Sequence, residues 1–171
     1  MIKKLILQFG FCLILVFSGC TEKTINQIYT DSQEIFQIAL PQTWENIGLD
    51  TFTPFSSNED ISQTMLQVVT HSTDKAALSE DDKQQILEKM DETKEKILIQ
   101  KIREVKGIEA WEILGENKVY GNKLRKTHQV WLIHDGTLIT FSLTASPEFY
   151  KSADKAFEKI IKNIKFLNKK F

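Results

Sequence analysis

The chain has 171 residues, which at roughly 150 residues per domain leaves room for one folded unit. With 42% hydrophobic and 26% charged residues it has ordinary globular composition, neither disordered nor fibrous. Only 7 Gly and 3 Pro argue against collagen-like, low-complexity and Gly-rich phosphate-loop chains, and a formal net charge of −1 argues against a nucleic-acid binder, whose binding face is strongly basic.

The first segment is an export signal. Lys3 and Lys4 precede an apolar run from Leu5 to Phe17 broken only by Gln8 and Gly10. That run covers about 20 Å as a helix, short of the roughly 30 Å hydrocarbon core, so it suits a cleaved signal better than a permanent span. Phe17-Ser18-Gly19-Cys20 follows and resembles the bacterial lipobox, with Phe17 where Leu is usual. Small side chains fit the peptidase, and the Cys20 thiol at the membrane surface accepts the lipid. The expected product loses residues 1–19 and is tethered to a membrane through acylated Cys20, since two or three acyl chains anchor stably where one does not. The alternative is a conventional signal peptide with an incidental Cys20. The other cysteine, Cys12, lies in the discarded segment, so the mature chain is expected to have neither a disulfide nor thiolate chemistry. Thr21 in place of Asp after the Cys suits the periplasmic face of the outer membrane in a Gram-negative cell; in a Gram-positive cell the site would be the surface. Residues 20–32 read as lipidated Cys and polar tether, and 33–171 as a single domain.

Glu34 to Leu40 alternates loosely and stops at Pro41, the pattern of a first strand, after which Trp44 is placed to plug a sheet edge. Ser56 to Asp60 reads as a loop and Met65 to His71 as the next strand. Ser79 to Asp82 has the Ser-x-x-Asp spacing of a helix start, with three carboxylates favoured by the helix dipole. Ile86, Leu87, Met90, Thr93 and Ile97 then form one stripe of an amphipathic helix expected to end near Lys96. Ile97 to Val105, Ile108 to Leu114 and Leu124 to Ile133 read as strands, the last two joined by a loop from Gly115 to Asn122.

His134-Asp135-Gly136-Thr137 sets Asp-Gly between two β-rich runs, the sequence of a two-residue type I′ hairpin. Partner numbers then sum to 271, so Leu132 faces Ile139, Val130 faces Phe141 and His128 faces Leu143. The opposite face carries Trp131 against Thr140, Gln129 against Ser142 and Ile133 against Leu138, either a second core layer or a shallow site. Ser146 caps and Pro147 opens the last helix, with Phe149, Ala153, Ala156, Phe157, Ile160, Ile161 and Ile164 at helical spacing.

Several landmarks together resemble the PsbP-like superfamily over residues 30–167. They are Phe36-x-Ile38-x-x-Pro41-x-x-Trp44, the mid-chain helix, Val105 to Trp111, the long hairpin, and Phe157-x-x-Ile160-x-x-x-Ile164. The resemblance implies an α+β fold, an antiparallel sheet flanked by helices in an α/β/α sandwich, and a non-enzymatic accessory or binding role, as in the bacterial lipoproteins of the DcrB group. It implies no cofactor and carries over no catalytic residue.

Chemistry in the residues themselves is sparse. The 3 histidines are His71, His128 and His134, and six residues of strand separate the last two by roughly 20 Å, too far to share a metal. His134-Asp135 has no serine in a nucleophile-elbow context. Residues 20–100 carry 6 basic and 15 acidic residues, whereas 101–171 carry 14 and 8. In the basic half Lys118, Lys123, Arg125 and Lys126 cluster beside Tyr120, and with Trp131 and Gln129 they are the candidate partner-binding residues. The alternative is a solvated edge for the lysines and a core position for Trp131. The function expected is a membrane-anchored, extracytoplasmic, non-catalytic module that binds an envelope protein. Its rivals are a periplasmic hydrolase with a carboxylate or histidine site and a small amphiphile carrier with an internal apolar pocket.

Overall fold

The computed structural model describes residues 26–54, 64–119 and 123–167. Cys20, the lipobox, Tyr120 and the expected 56–60 loop lie outside the described residues. Among the described residues ten strands and two helices follow one another as β1 Gln27–Thr30, β2 Phe36–Leu40, β3 Glu45–Gly48, β4 Thr51–Thr53, β5 Thr64–Ser72, α1 Glu80–Glu92, β6 Lys96–Val105, β7 Ile108–Val119, β8 Lys123–His134, β9 Thr137–Ala145, α2 Pro147–Lys162 and β10 Lys165–Phe166. Seven strands form one antiparallel sheet in the order β3-β4-β5-β9-β8-β7-β6, and β1-β2-β10 form a smaller one.

The hairpin register is the expected one: Leu132 pairs with Ile139, Val130 with Phe141 and His128 with Leu143. Asp135 and Gly136 both hold positive φ, 44° and 69°, as a type I′ turn requires. Because side chains alternate along a strand, this register fixes which residues share a face. One face of the large sheet presents Leu66, Val68, Val130, Leu132, Ile139, Phe141 and Leu143 to α2 and the small sheet. Phe157, Ile160 and Ile161 of α2 and Phe36, Ile38 and Leu40 of β2 close this core, every one of them at most 3% exposed. The opposite face carries a smaller cluster of Met90, Trp111 and Ile113 under α1, with Leu78, Ile86, Leu87, Ile97 and Trp131 packed around it. The sandwich is therefore dominated by sheet: one cover is a helix plus three strands and the other is a single short helix.

Several boundaries differ from the sequence expectation. The tether does not extend to Ser32, because Gln27–Thr30 pair with β2. The turn between these strands is built on Asp31, whose buried carboxylate accepts backbone N–H bonds from Gln33, Ile35 and Phe36 at 3.0, 2.5 and 2.8 Å. Trp44, directly before the edge strand β3, is a buried member of the α2-side core. Helix α1 stops at Glu92: Thr93 caps it, its hydroxyl donating to Met90 O at 2.9 Å, and Lys94 turns left-handed at φ 58°. Strand β7 runs through the expected loop to Val119, and Gly115 is a packing glycine inside it. A Cβ there would lie 2.8 Å from Glu95 Oε1 and 3.0 Å from Thr127 Oγ1. Ser146 is the N-cap of α2, yet its hydroxyl points to Glu148 Oε1, 3.4 Å away, rather than to a backbone N–H. Pro147 supplies the start instead, its fixed φ suiting the first helical position.

Candidate functional site

Helix α1 crosses one face of the sheet without filling it. Its start is secured by a capping box in which Ser79 Oγ accepts from Asp82 N at 3.2 Å and Asp82 Oδ2 accepts from Ser79 N at 2.9 Å. Lys75, in the incoming loop, forms an ion pair with Asp82, and this contact, with the Ser79 hydrogen bonds, holds the Asp82 carboxyl down at about 2. Of the thirteen helix residues only Met90 is buried. Between the helix and the sheet lies a half-open cleft of about 510 Å³, within the range of small-molecule and peptide sites. Trp131, Ile133 and Leu138 form its floor from the sheet, and Leu78, Ile86 and Met90 its wall from α1 and its approach. His71, Lys89, Gln85 and Gln129 stand around the mouth. The Trp131 indole Nε1 donates to Gln129 Oε1 at 3.0 Å, two residues back on the same face, which fixes the ring and keeps its polar edge satisfied.

Of the expected partner-binding residues, Trp131 and Gln129 thus meet at one cleft, whereas the basic residues do not join them as a patch. Strand alternation puts Lys118 and Lys126 on the α2 side and Lys123 and Arg125 on the α1 side. Arg125 is 4% exposed and engaged within the fold, so it is no surface contact. The Lys126 ammonium lies 5.4 Å from the Tyr150 ring centroid, a cation–π arrangement. Lys118 and Lys123 are exposed.

The α2 face holds a second cluster that the sequence analysis missed. His128 is buried, with Nδ1 2.6 Å from Asp154 Oδ1 and Nε2 3.0 Å from Glu112 Oε1, and its ring centroid lies 4.6 Å from that of Phe157. Arg103 bridges Glu112 Oε2 at 3.1 Å and Glu158 Oε1 at 2.8 Å, and Lys101 Nζ lies 3.4 Å from Glu112 Oε1. The hydrogen bonds to Glu158 hold the Arg103 guanidinium still higher than usual. Burial works against the Glu158 charge, but Arg103 outweighs it and the carboxyl sits below its ordinary value. Burial, reinforced by Asp154, raises the Tyr150 hydroxyl. Glu112, His128 and Glu158 offer ligand atoms within 4.8 Å of one another, a metal-binding composition. The cation between the carboxylates is the Arg103 guanidinium, with Lys101 beside it, so a metal would have to displace both. The cluster is an ion network that fastens α2 to β6, β7 and β8. One signal was available: with Lys106-Gly107 as a two-residue turn, register arithmetic sets Lys101 opposite Glu112, the pairing observed.

The remaining histidines form no shared centre. His71 is at the cleft mouth, and His134 packs its ring 4.3 Å from Phe166, with Nε2 3.5 Å from Asp135 Oδ2.

A seven-stranded antiparallel sheet carrying α2 and a small sheet on one face and α1 on the other defines a PsbP-like fold. The solution structure of cyanobacterial PsbP (CyanoP) from Synechocystis matches it with TM-score 0.61 and 13% identity over 90% of this chain and 99% of that one. LpqN, involved in cell envelope biogenesis of Mycobacterium tuberculosis, matches with TM-score 0.60 and 12% identity over 84% and 91%. A protein of unknown function from Pseudomonas aeruginosa gives 0.58 and 13% over 85% and 99%. At such identities the likeness establishes the fold. No protein-family model matches the chain, and no curated protein matches it by sequence. No helix among the described residues is long and apolar enough to cross a membrane.

Proposed function

We propose that this protein is an extracytoplasmic lipoprotein, anchored through Cys20, that works as a non-catalytic binding module of the bacterial envelope, with the α1 cleft as its binding surface. The observation that carries this reading is the half-open apolar cleft floored by Trp131. A helix that seals one end of a sheet face and leaves an aromatic at the open end gives an apolar group somewhere to bury, and buried aromatics of this kind are the usual anchors of interfaces. The envelope setting is supported by the lipobox-like segment ending at Cys20 and by the fold shared with the envelope-biogenesis protein LpqN. A hydrolase has less support, because the acid that lines the cleft with His71, Asp82, is committed to Lys75 and the helix cap. The cleft's volume and apolar floor also favour a second reading, the small amphiphile carrier.

Two experiments test these parts separately. Metabolic labelling with palmitate is expected to mark wild type and not Cys20→Ser; label retained on the variant would overturn the anchor. A dansylated fatty acid is expected to bind wild type saturably and to lose about tenfold in affinity with Trp131→Ala, roughly 1.4 kcal/mol, while thermal stability falls little because the indole is only half-buried. Equal affinity in both proteins would remove the cleft as the apolar site.

A further inference from the structure

The outer faces of the two helices carry opposite charge. On α2, Lys151, Lys155, Lys159 and Lys162 recur about one turn apart, which at 3.6 residues per turn gathers them within about 80° of arc, across the helix from the buried Ala153, Phe157, Ile160 and Ile161. All four are exposed, and exposed Lys165 of β10 follows three residues on. The lysine ion pairs among the described residues engage Lys75, Lys83, Lys96 and Lys101 and none of these five. Of the acids of α2, Asp154 and Glu158 turn to His128 and Arg103, leaving Glu148 in the first turn as the exposed one. α1, on the other face of the large sheet, instead exposes Glu80, Asp81, Glu88, Asp91 and Glu92. Against them it sets Lys89 and Lys83, the latter already paired with Glu80. An anionic surface therefore attracts one side of the molecule and repels the other.

The lysine side is also the side from which the chain leads back to Cys20. Gln27 Nε2 donates to Gln42 O at 3.0 Å and to Trp44 O at 2.6 Å, which pins the start of β1. Asn26, directly before it, borders a groove of about 370 Å³ together with Lys155 and Lys159. Six residues lead from Cys20 to Asn26, and a chain reaches at most about 3.6 Å per residue, so Cys20 lies within about 22 Å of Asn26 whatever its conformation. We propose that the α2 lysines dock on anionic phospholipid headgroups of the membrane that holds Cys20. The proposal rests on the anchoring at Cys20. A lysine near an anionic surface strengthens attachment about fivefold, so four in one row orient a domain that its lipid alone leaves free to turn. Because α1 and α2 cover opposite faces of the large sheet, laying α2 on the bilayer turns the α1 cleft away from it, toward whatever it binds.

The test uses the full chain, purified from membranes and reconstituted on vesicles of phosphatidylglycerol or of phosphatidylcholine. Lysine reactivity toward a water-soluble amine reagent is read by mass spectrometry. Lys155 and Lys159 are expected to react about tenfold more slowly on phosphatidylglycerol and to recover with added salt, while exposed Lys94 and Lys106 react equally on both lipids. In the double variant Lys155→Glu, Lys159→Glu, the remaining Lys151 and Lys162 are expected to keep their phosphatidylcholine rate. The double variant Lys94→Glu, Lys106→Glu has the same net charge and is expected to leave Lys155 and Lys159 protected. Equal rates on the two lipids, or loss of protection in both variants alike, would overturn the docking. So would protection in cell envelopes but not on vesicles, since the partner would then be an acidic protein. Palmitate labelling of the same protein reads the anchor separately: label without protection overturns the docking alone, and protection without label overturns the anchor and leaves the docking standing.

Discussion

The two faces of one sheet are covered in opposite ways. Beneath α2 and the small sheet, Phe36, Phe141, Phe157, Leu132 and Leu143 are wholly inaccessible, and edge-to-face rings such as Phe36 on Phe141, 5.5 Å between centroids, fill the interior. Beneath α1 the buried apolar cluster is Met90, Trp111 and Ile113, with Ile133 buried in the cleft floor, and Trp131 borders open space. The difference begins in the helices. α2 buries Ala153, Phe157, Ile160 and Ile161 within about two and a half turns, whereas α1, rich in Glu, Asp, Lys and Gln, has too narrow an apolar stripe to seal the face it lies on. Stability is therefore concentrated on one face and accessible surface on the other, the division expected when a rigid core positions a binding site.

That contrast can be broken by substitution. Phe157→Ala is expected to cost about 4 kcal/mol in chemical denaturation, because it removes a ring at the centre of the α2 core, and Met90→Ala about 2 kcal/mol, because the half-open α1 layer leaves a smaller void. Equal losses would mean that α1 is as integral as α2. Between them falls Arg103→Ala, at about 3 kcal/mol, since it strips the main cation from Glu112, whose side chain is 4% exposed.

A subtler effect comes with pH. Glu158 sits below its ordinary value in the fold, so its contribution is fully present above the unfolded value, about 4.3, and is lost as pH falls through the folded one. Wild-type melting temperature should decline through this acid range more steeply than that of Arg103→Ala, in which Glu158 no longer has its guanidinium partner. Parallel declines would detach Glu158 from the acid sensitivity of the α2 face.

Much of the fold was legible because it rests on local rules. Asp135-Gly136 set the hairpin register of β8 and β9 to the residue, and with it the face of Trp131 and Gln129. The Ser79 capping box and the Pro147 start located both helices. What escaped were features whose cause is distant in sequence. β1 hid in a polar segment because its partner β2 and the Asp31 turn supply what its own pattern lacks. β7 ran past Gly115 because β8 pairs with it from Ala110 to Val119, with Thr127 and Glu95 packed close over the glycine. The basic cluster dissolved because strand alternation divides Lys118 and Lys126 from Lys123 and Arg125.

By itself, then, the sequence determined the two helices, the central hairpin and the residues on each of its faces, all products of short-range spacing and turn chemistry. Only the tertiary structure decided that His128 lies inside an ion network drawn from four elements, that Trp131 opens on a cleft rather than a core, and that β6 is an edge of the large sheet among the described residues. Each of these depends on which segments meet across the sheet and how much of a face a helix can cover, and that is set by packing between residues far apart in the chain.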